Sequence, residues 1–157
     1  NSANHEWIQS THETGRINNL RLGESLLLGR ETLGRNPIPD LHTDAFRLVA
    51  EVIESKEKPS LPFGDIAQNA FGDVPTFVDR GIRSRTIVAL GRQDVLISGL
   101  KPTNSDLEIL GASSDHLILH SQDHELKIGG EVEFHLDYSA LLSAMTSPFI
   151  EKNFLNS

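Results

Sequence analysis

Short apolar runs separated by turn residues dominate the chain. Segments 81–90, 107–110, 116–120 and 131–137 alternate apolar and polar positions, or hold brief apolar clusters, between groups of Gly, Ser, Asp and Asn. Segment 94–98 fits the same pattern, and this spacing predicts several strands curled into a small barrel or sandwich. Residues 20–28, LRLGESLLL, read as one continuous buried strand. That strand would place Arg21 in an apolar setting, which is costly unless an anion or hydrogen-bond acceptor meets the guanidinium. Residues 46–54 fit two templates. Phe46, Leu48, Ala50 and Val52 alternate as in a strand, whereas Phe46, Val49, Ala50 and Ile53 line one face of a helix.

Helical spacing appears at the two ends. Ser2 can cap a short helix holding Trp7 and Ile8, which Gly15 ends, and residues 138–145 predict a second helix. Ser147 followed by Pro148 reads as the cap and first position of another. The stretch GRETLGRNPIPD, with its glycines and prolines, predicts a loop and a domain boundary near residue 40. Residues 1–40 and 41–157 are therefore expected to belong to different domains, and neither contains an internal repeat.

The length of 157 residues allows a sizeable core. Hydrophobic residues at 38% and charged ones at 23% are ordinary for a globular chain, and no apolar run approaches the roughly 20 residues that cross a bilayer. Zero cysteines exclude disulfides, thiolate metal sites and a cysteine nucleophile. Together with the lack of a signal-peptide pattern, this points to the cytoplasm. A net charge of -8 argues against sequence-independent nucleic-acid binding, and a membrane partner is not expected either. Asn1 in place of methionine suggests a fragment of a longer protein.

Three clusters could carry chemistry. In DRGIRSRTIVALGRQD, Arg83 and Arg85 share a strand face, Arg80 precedes them and Arg92 follows. Such a set can hold a small anion in bidentate fashion, or form a solvated face paired with acidic residues. His116, His120 and His124 recur at every fourth residue, a metal-like spacing on a helix but not on the strand and turn predicted there. LGASSDHLIL places Ser113, Ser114 and Asp115 before an apolar run, suited to orienting a ligand or to making a turn. No G-x-S-x-G nucleophile elbow is present.

The ordered set NSAN, LRLGESLLLGRE, DLHTDAF, GRQDV and LGASSDHLIL resembles the last part of the alanine-racemase-like, fold type III family of pyridoxal-phosphate enzymes. The wording is most similar to the branch of predicted amino-acid racemases that includes ornithine and lysine racemases, and the likeness covers nearly all of the chain. The resemblance implies a mainly β fold with some α: a C-terminal, barrel-like β domain (41–157), preceded by the last helix and strand of a TIM-type barrel (1–40). It also implies pyridoxal 5'-phosphate as cofactor, a homodimer in which the β domain of one subunit completes the other's site, and racemisation by proton transfer at Cα of a basic amino acid. By position, Asn1, Ser2, Gly23 and Glu24 match residues near the cofactor phosphate, and Arg21 matches the arginine facing the pyridine nitrogen. An arginine there donates hydrogen bonds but no proton, which limits the ring as an electron sink and favours proton exchange over loss of the carboxylate.

Several positions depart from that pattern. No lysine matches the family's Schiff-base lysine, so the resemblance places it upstream and implies that this chain alone is inactive. Where the family has Gly-Tyr-x-Asp with a tyrosine as second base, this chain reads Gly91, Arg92, Gln93, Asp94. The second base is thus unassigned among Arg92, Gln93 and Asp94. Ser114 and Asp115 stand where a Met-Asp pair lines the substrate entrance, and Thr146 or Ser147 occupies the region of a phosphate-binding tyrosine. Two other readings stay open: an ion pair of Arg21 with Glu24 or Glu31, and a noncatalytic β module that binds an anion or a protein through its arginines.

Overall fold

The computed structural model describes residues 15, 16, 19, 21–64, 67, 68, 72, 74, 76, 78–121 and 125–155. Six strands form one antiparallel sheet: β1 (Leu48–Pro59), β2 (Ile82–Val88), β3 (Leu100–Pro102), β4 (Leu107–Ala112), β5 (Leu117–Ser121) and β6 (Glu131–Leu136). Their spatial order is β3-β6-β1-β2-β5-β4. The two edge strands, β3 and β4, are neighbours in sequence and approach each other, so the sheet curls into a nearly closed barrel. The mainly β, barrel-like expectation holds.

β1 makes that curl possible. Its first half pairs with β6 in the register Leu48↔Phe134, and its second half pairs with β2 in the register Ser55↔Thr86. A bulge between Val52 and Glu54 separates the halves, and such an extra residue bends and twists a strand. Leu48, Ala50 and Val52 point inward, while Val49 and Ile53 remain exposed. The strand template therefore prevails over the helical one for 46–54. Val52, Val88 and Leu117 form one fully buried row across β1, β2 and β5, and Leu119 and Phe134 complete the centre of the core.

Helix α1 (Glu24–Leu28) is a single turn, and α2 (Tyr138–Thr146) follows β6 directly. α2 starts where the sequence predicts. Asp137 accepts a hydrogen bond from the Ala140 amide at 2.8 Å, and Ala140, Leu141 and Ala144 face the barrel.

Three expectations need correction. Residues 20–28 are not a buried strand. Glu24–Leu28 is helical, Leu26 and Leu27 are exposed and only Ser25 of the helix is buried, because this run meets no neighbouring strand among the described residues. Residues 94–98 form a tight turn running into a 3-10 helix (Ile97–Gly99), since Asp94 bonds back to the Gly91 amide instead of extending a ladder. No helix begins at Ser147. Its hydroxyl does accept from the Phe149 amide, but Phe149, Phe154 and Leu155 face solvent while Ile150 packs against the core, too narrow an apolar face to support a short helix. The helix expected around Trp7 lies outside the described residues. Among the described residues, no helix is long and apolar enough to cross a membrane.

Candidate functional site

The two motifs GRQD and SSD, about twenty residues apart in sequence, are locked together at one end of the barrel. The amides of Arg92 and Gln93 donate to the carbonyls of Ser113 and Ser114 at 3.0 and 2.9 Å, and Arg92 Nε donates to the Ala112 carbonyl. Gly91 is what permits this approach. A Cβ there would lie 2.2 Å from the Ser114 carbonyl oxygen, so any side chain would force the two turns apart. The turn is closed from below by Asp94, whose buried carboxylate accepts from the Gly91 amide at 2.7 Å.

Beside this junction a cleft of about 720 Å³ opens towards the end of α2. Arg92, Gln93 and Asp94 line one wall, Thr146, Ser147 and Pro148 the other, and the Ser143 hydroxyl ties the two by accepting from the Leu96 amide at 2.9 Å. The structure thus brings the candidate second-base segment and the candidate Thr146 and Ser147 into one cavity. None of the three base candidates is a ready proton acceptor. A guanidinium stays charged, a carboxamide is not basic, and Asp94 faces inward to hold the turn. Thr146 is likewise engaged, donating back to the Leu142 carbonyl.

Asp115 stands at the outer rim of the junction. Its carboxylate accepts from the Ser114 and Ser113 hydroxyls at 3.0 and 3.1 Å and lies 3.2 Å from His116 Nδ1. The two hydroxyls, Ser114 foremost, hold it below the usual aspartate range.

The remaining candidates gather around α1. Gly23 precedes the helix, and an ideal Cβ on it would lie 3.4 Å from the Tyr138 hydroxyl. Glu24 pairs with Arg35, whose positive charge offsets the carboxylate at the start of α1. The hydroxyl of Ser25 is buried without a hydrogen-bond partner. Tyr138 is the residue that motif reading missed. It lies eight residues before Thr146, one helix length away, and its signal was its position at the start of the predicted helix. Arg21 is exposed, and the alternative ion pair is not formed: Glu24 holds Arg35, while Glu31 accepts from the amides of Leu33, Gly34 and Asn36. Asn1 and Ser2 lie outside the described residues.

The arginines do not converge on one site. Arg80 pairs with Glu108 at 3.4 Å, Arg85 donates to the Ser60 carbonyl, and Arg92 belongs to the separate cleft. His120 is buried on β5 with Nδ1 3.0 Å from the Ser84 carbonyl, whereas His116 sits in the preceding turn and His124 lies outside the described residues. Positions four apart on a strand are about 13 Å apart, too far to share an ion. Among the described residues no group of three or more His, Cys, Asp or Glu could hold a metal.

No family model matches the chain. The chain is 50% identical to the ornithine racemase of Acetoanaerobium sticklandii over 141 residues, 88% of this chain and 40% of that protein. It is 49% identical to the lysine racemase of Thermotoga maritima over 137 residues, 87% of this chain and 39% of that protein. The chain therefore spans about two fifths of the length of the curated relatives it matches.

Proposed function

We propose that the chain is part of a longer amino-acid racemase that interconverts the enantiomers of a basic amino acid. The observation that carries this reading is the identity of about one half, over almost the whole chain, to two proteins named for racemising ornithine and lysine. The barrel geometry is consistent with it, because the cleft and the α1 region each gather residues that the family pattern assigns to the site.

In this reading the cofactor is pyridoxal phosphate, and the residues around α1 fit its phosphate. Gly23 leaves the backbone open, the Tyr138 hydroxyl and the unpartnered Ser25 hydroxyl can donate, and Arg35 neutralises Glu24. When bound, the pyridoxal ring withdraws electrons and acidifies the substrate Cα–H. Arg21 serves as the donor-only neighbour of the ring nitrogen, residues 1–40 end the barrel that carries the cofactor, and the active unit is a homodimer. Gln93 and Arg92 orient the substrate in the cleft, and Asp94 keeps their turn in place.

The test is hydrogen exchange at Cα in heavy water. The longer protein carrying this chain is incubated with pyridoxal phosphate and a panel of ornithine, lysine, arginine, alanine and serine. Exchange confined to basic amino acids, with appearance of the opposite enantiomer, is the expected result. Absence of exchange with every member would overturn the racemase reading and favour the noncatalytic module.

A further inference from the structure

Helix α2 is apolar on two opposite sides. Ala140, Leu141 and Ala144 turn inward against the barrel. Tyr138, Leu142 and Met145, spaced i, i+4 and i+7, line the other side, and all three are exposed, Leu142 by 56% and Met145 by 47%. No charged residue occurs in YSALLSAMT, although 23% of the chain is charged. A helix whose outer side meets water normally carries charged or polar residues there, so an uncharged helix with two apolar sides fits a place between two packed layers.

The apolar surface continues past both ends of α2. At its start, an added Cβ on Gly23 would touch the Tyr138 hydroxyl, and α1, which follows Gly23, exposes Leu26 and Leu27. Beyond its end, Phe149 is exposed as well. A single turn such as α1 is not stable on its own hydrogen bonds and depends on packing against a neighbour. An exposed apolar surface of this extent marks an interface. A second layer is available in the relatives: the chain spans 40% and 39% of two proteins to which it is about half identical, so about three fifths of their length lies outside it. α1 falls within residues 1–40, the part that the sequence assigns to the other domain, and it borders this face. That continuity favours the same polypeptide over a second copy.

Resting on the reading of the chain as part of a longer racemase, we propose that the outer side of α2 seats the remaining domain of the same polypeptide. Leu142 and Met145 form the centre of that contact, Leu26 and Leu27 its edge, and α2 becomes the middle layer between the two domains.

The test places a thiol on this face by Leu142→Cys, with Glu57→Cys on the exposed outer part of β1 as reference. Maleimide labelling is followed by the mass of the peptide that carries each site, in the longer protein and in the 157-residue chain, which has no cysteine of its own. In the longer protein, position 142 should label at least about tenfold more slowly than position 57, as for a site reached only by local opening. In the 157-residue chain the two should label at similar rates. The double variant Leu142→Glu, Met145→Glu should melt several degrees lower in the longer protein, with its assembly mass by light scattering unchanged, and should melt normally in the 157-residue chain. Equal labelling of both positions in the longer protein would overturn the assignment, as would slow labelling of position 142 already in the 157-residue chain. A fall in assembly mass in the double variant would overturn it by giving the face to a second copy. None of these outcomes touches Cα exchange, so the racemase reading would survive them. A longer protein that protects position 142 but exchanges no amino acid would overturn the racemase reading and leave the interface standing.

Discussion

Gly91 sets the distance between the two motifs of the cleft. Replacing it by alanine would put a Cβ at 2.2 Å from the Ser114 oxygen and 2.3 Å from its carbon, atoms of backbone that cannot rotate away. Overpacking of this kind costs about 1–3 kcal/mol, so the melting temperature of Gly91→Ala should fall by roughly 2–12 °C in a chain of this size. An unchanged melting temperature would mean that the turn docks less tightly than its hydrogen bonds indicate. Glu31 offers a second test at single-residue scale. The amides of Asn36, Gly34 and Leu33 lower its pKa to about 2 from an ordinary 4.5. A depressed pKa means that the stabilisation is complete above about pH 4.5 and is lost as the pH falls towards 2. Amide proton shifts of Gly34 and Asn36 should therefore titrate with a midpoint near 2, and a midpoint near 4.5 would show that the carboxylate does not hold the loop. Neither effect was legible in the sequence, because both depend on backbone groups brought close by the turn rather than on the pattern of side chains.

Elements were legible where alternation or a cap expressed the physics directly. Ile82–Val88, Leu117–Ser121 and Glu131–Leu136 follow their apolar spacing, and α2 begins where a capping aspartate precedes helix formers. The three-residue strand β3 was too short to carry a period. Residues 94–98 misled because Val95 and Ile97 mimic strand alternation, whereas the Asp94 carboxylate imposes a turn. The run at 24–28 misled because three leucines suggest burial, yet two of them face solvent. The α2 cap lends itself to a direct test. Asp137 is held against Gly99, where a Cβ would meet its carboxylate at 2.2 Å, and its own amide donates to the Gly99 carbonyl at 2.8 Å. Asp137→Ala should cost about 1 kcal/mol, and Asp137→Asn only a few tenths. Chemical denaturation of the two variants checks this. Equal losses would mean that the charge, and not the accepted hydrogen bond, sets the start of α2.

At the scale of the whole molecule, the barrel orders a cleft wall and a glycine-opened helix start, but it supplies no amine for covalent attachment of a cofactor in the cleft. Lys56 and Lys58 are paired with Glu54 on the outer part of β1, Lys152 donates to the Ser147 carbonyl, and Lys101 lines a different cavity with Arg30 and His135. Neither these lysines nor Lys127, in the turn before β6, lines the 91–98 cleft. The 157-residue chain, purified alone and supplied with pyridoxal phosphate, should therefore exchange no Cα proton of ornithine or lysine above the rate of free cofactor. The longer protein should do so. The comparison is informative because the free cofactor already acidifies Cα to some degree, so what the protein adds is a positioned amine and positioned bases. Enzymatic turnover by the isolated chain would require one of its own lysines to enter the cleft, and would move the catalytic centre into this barrel.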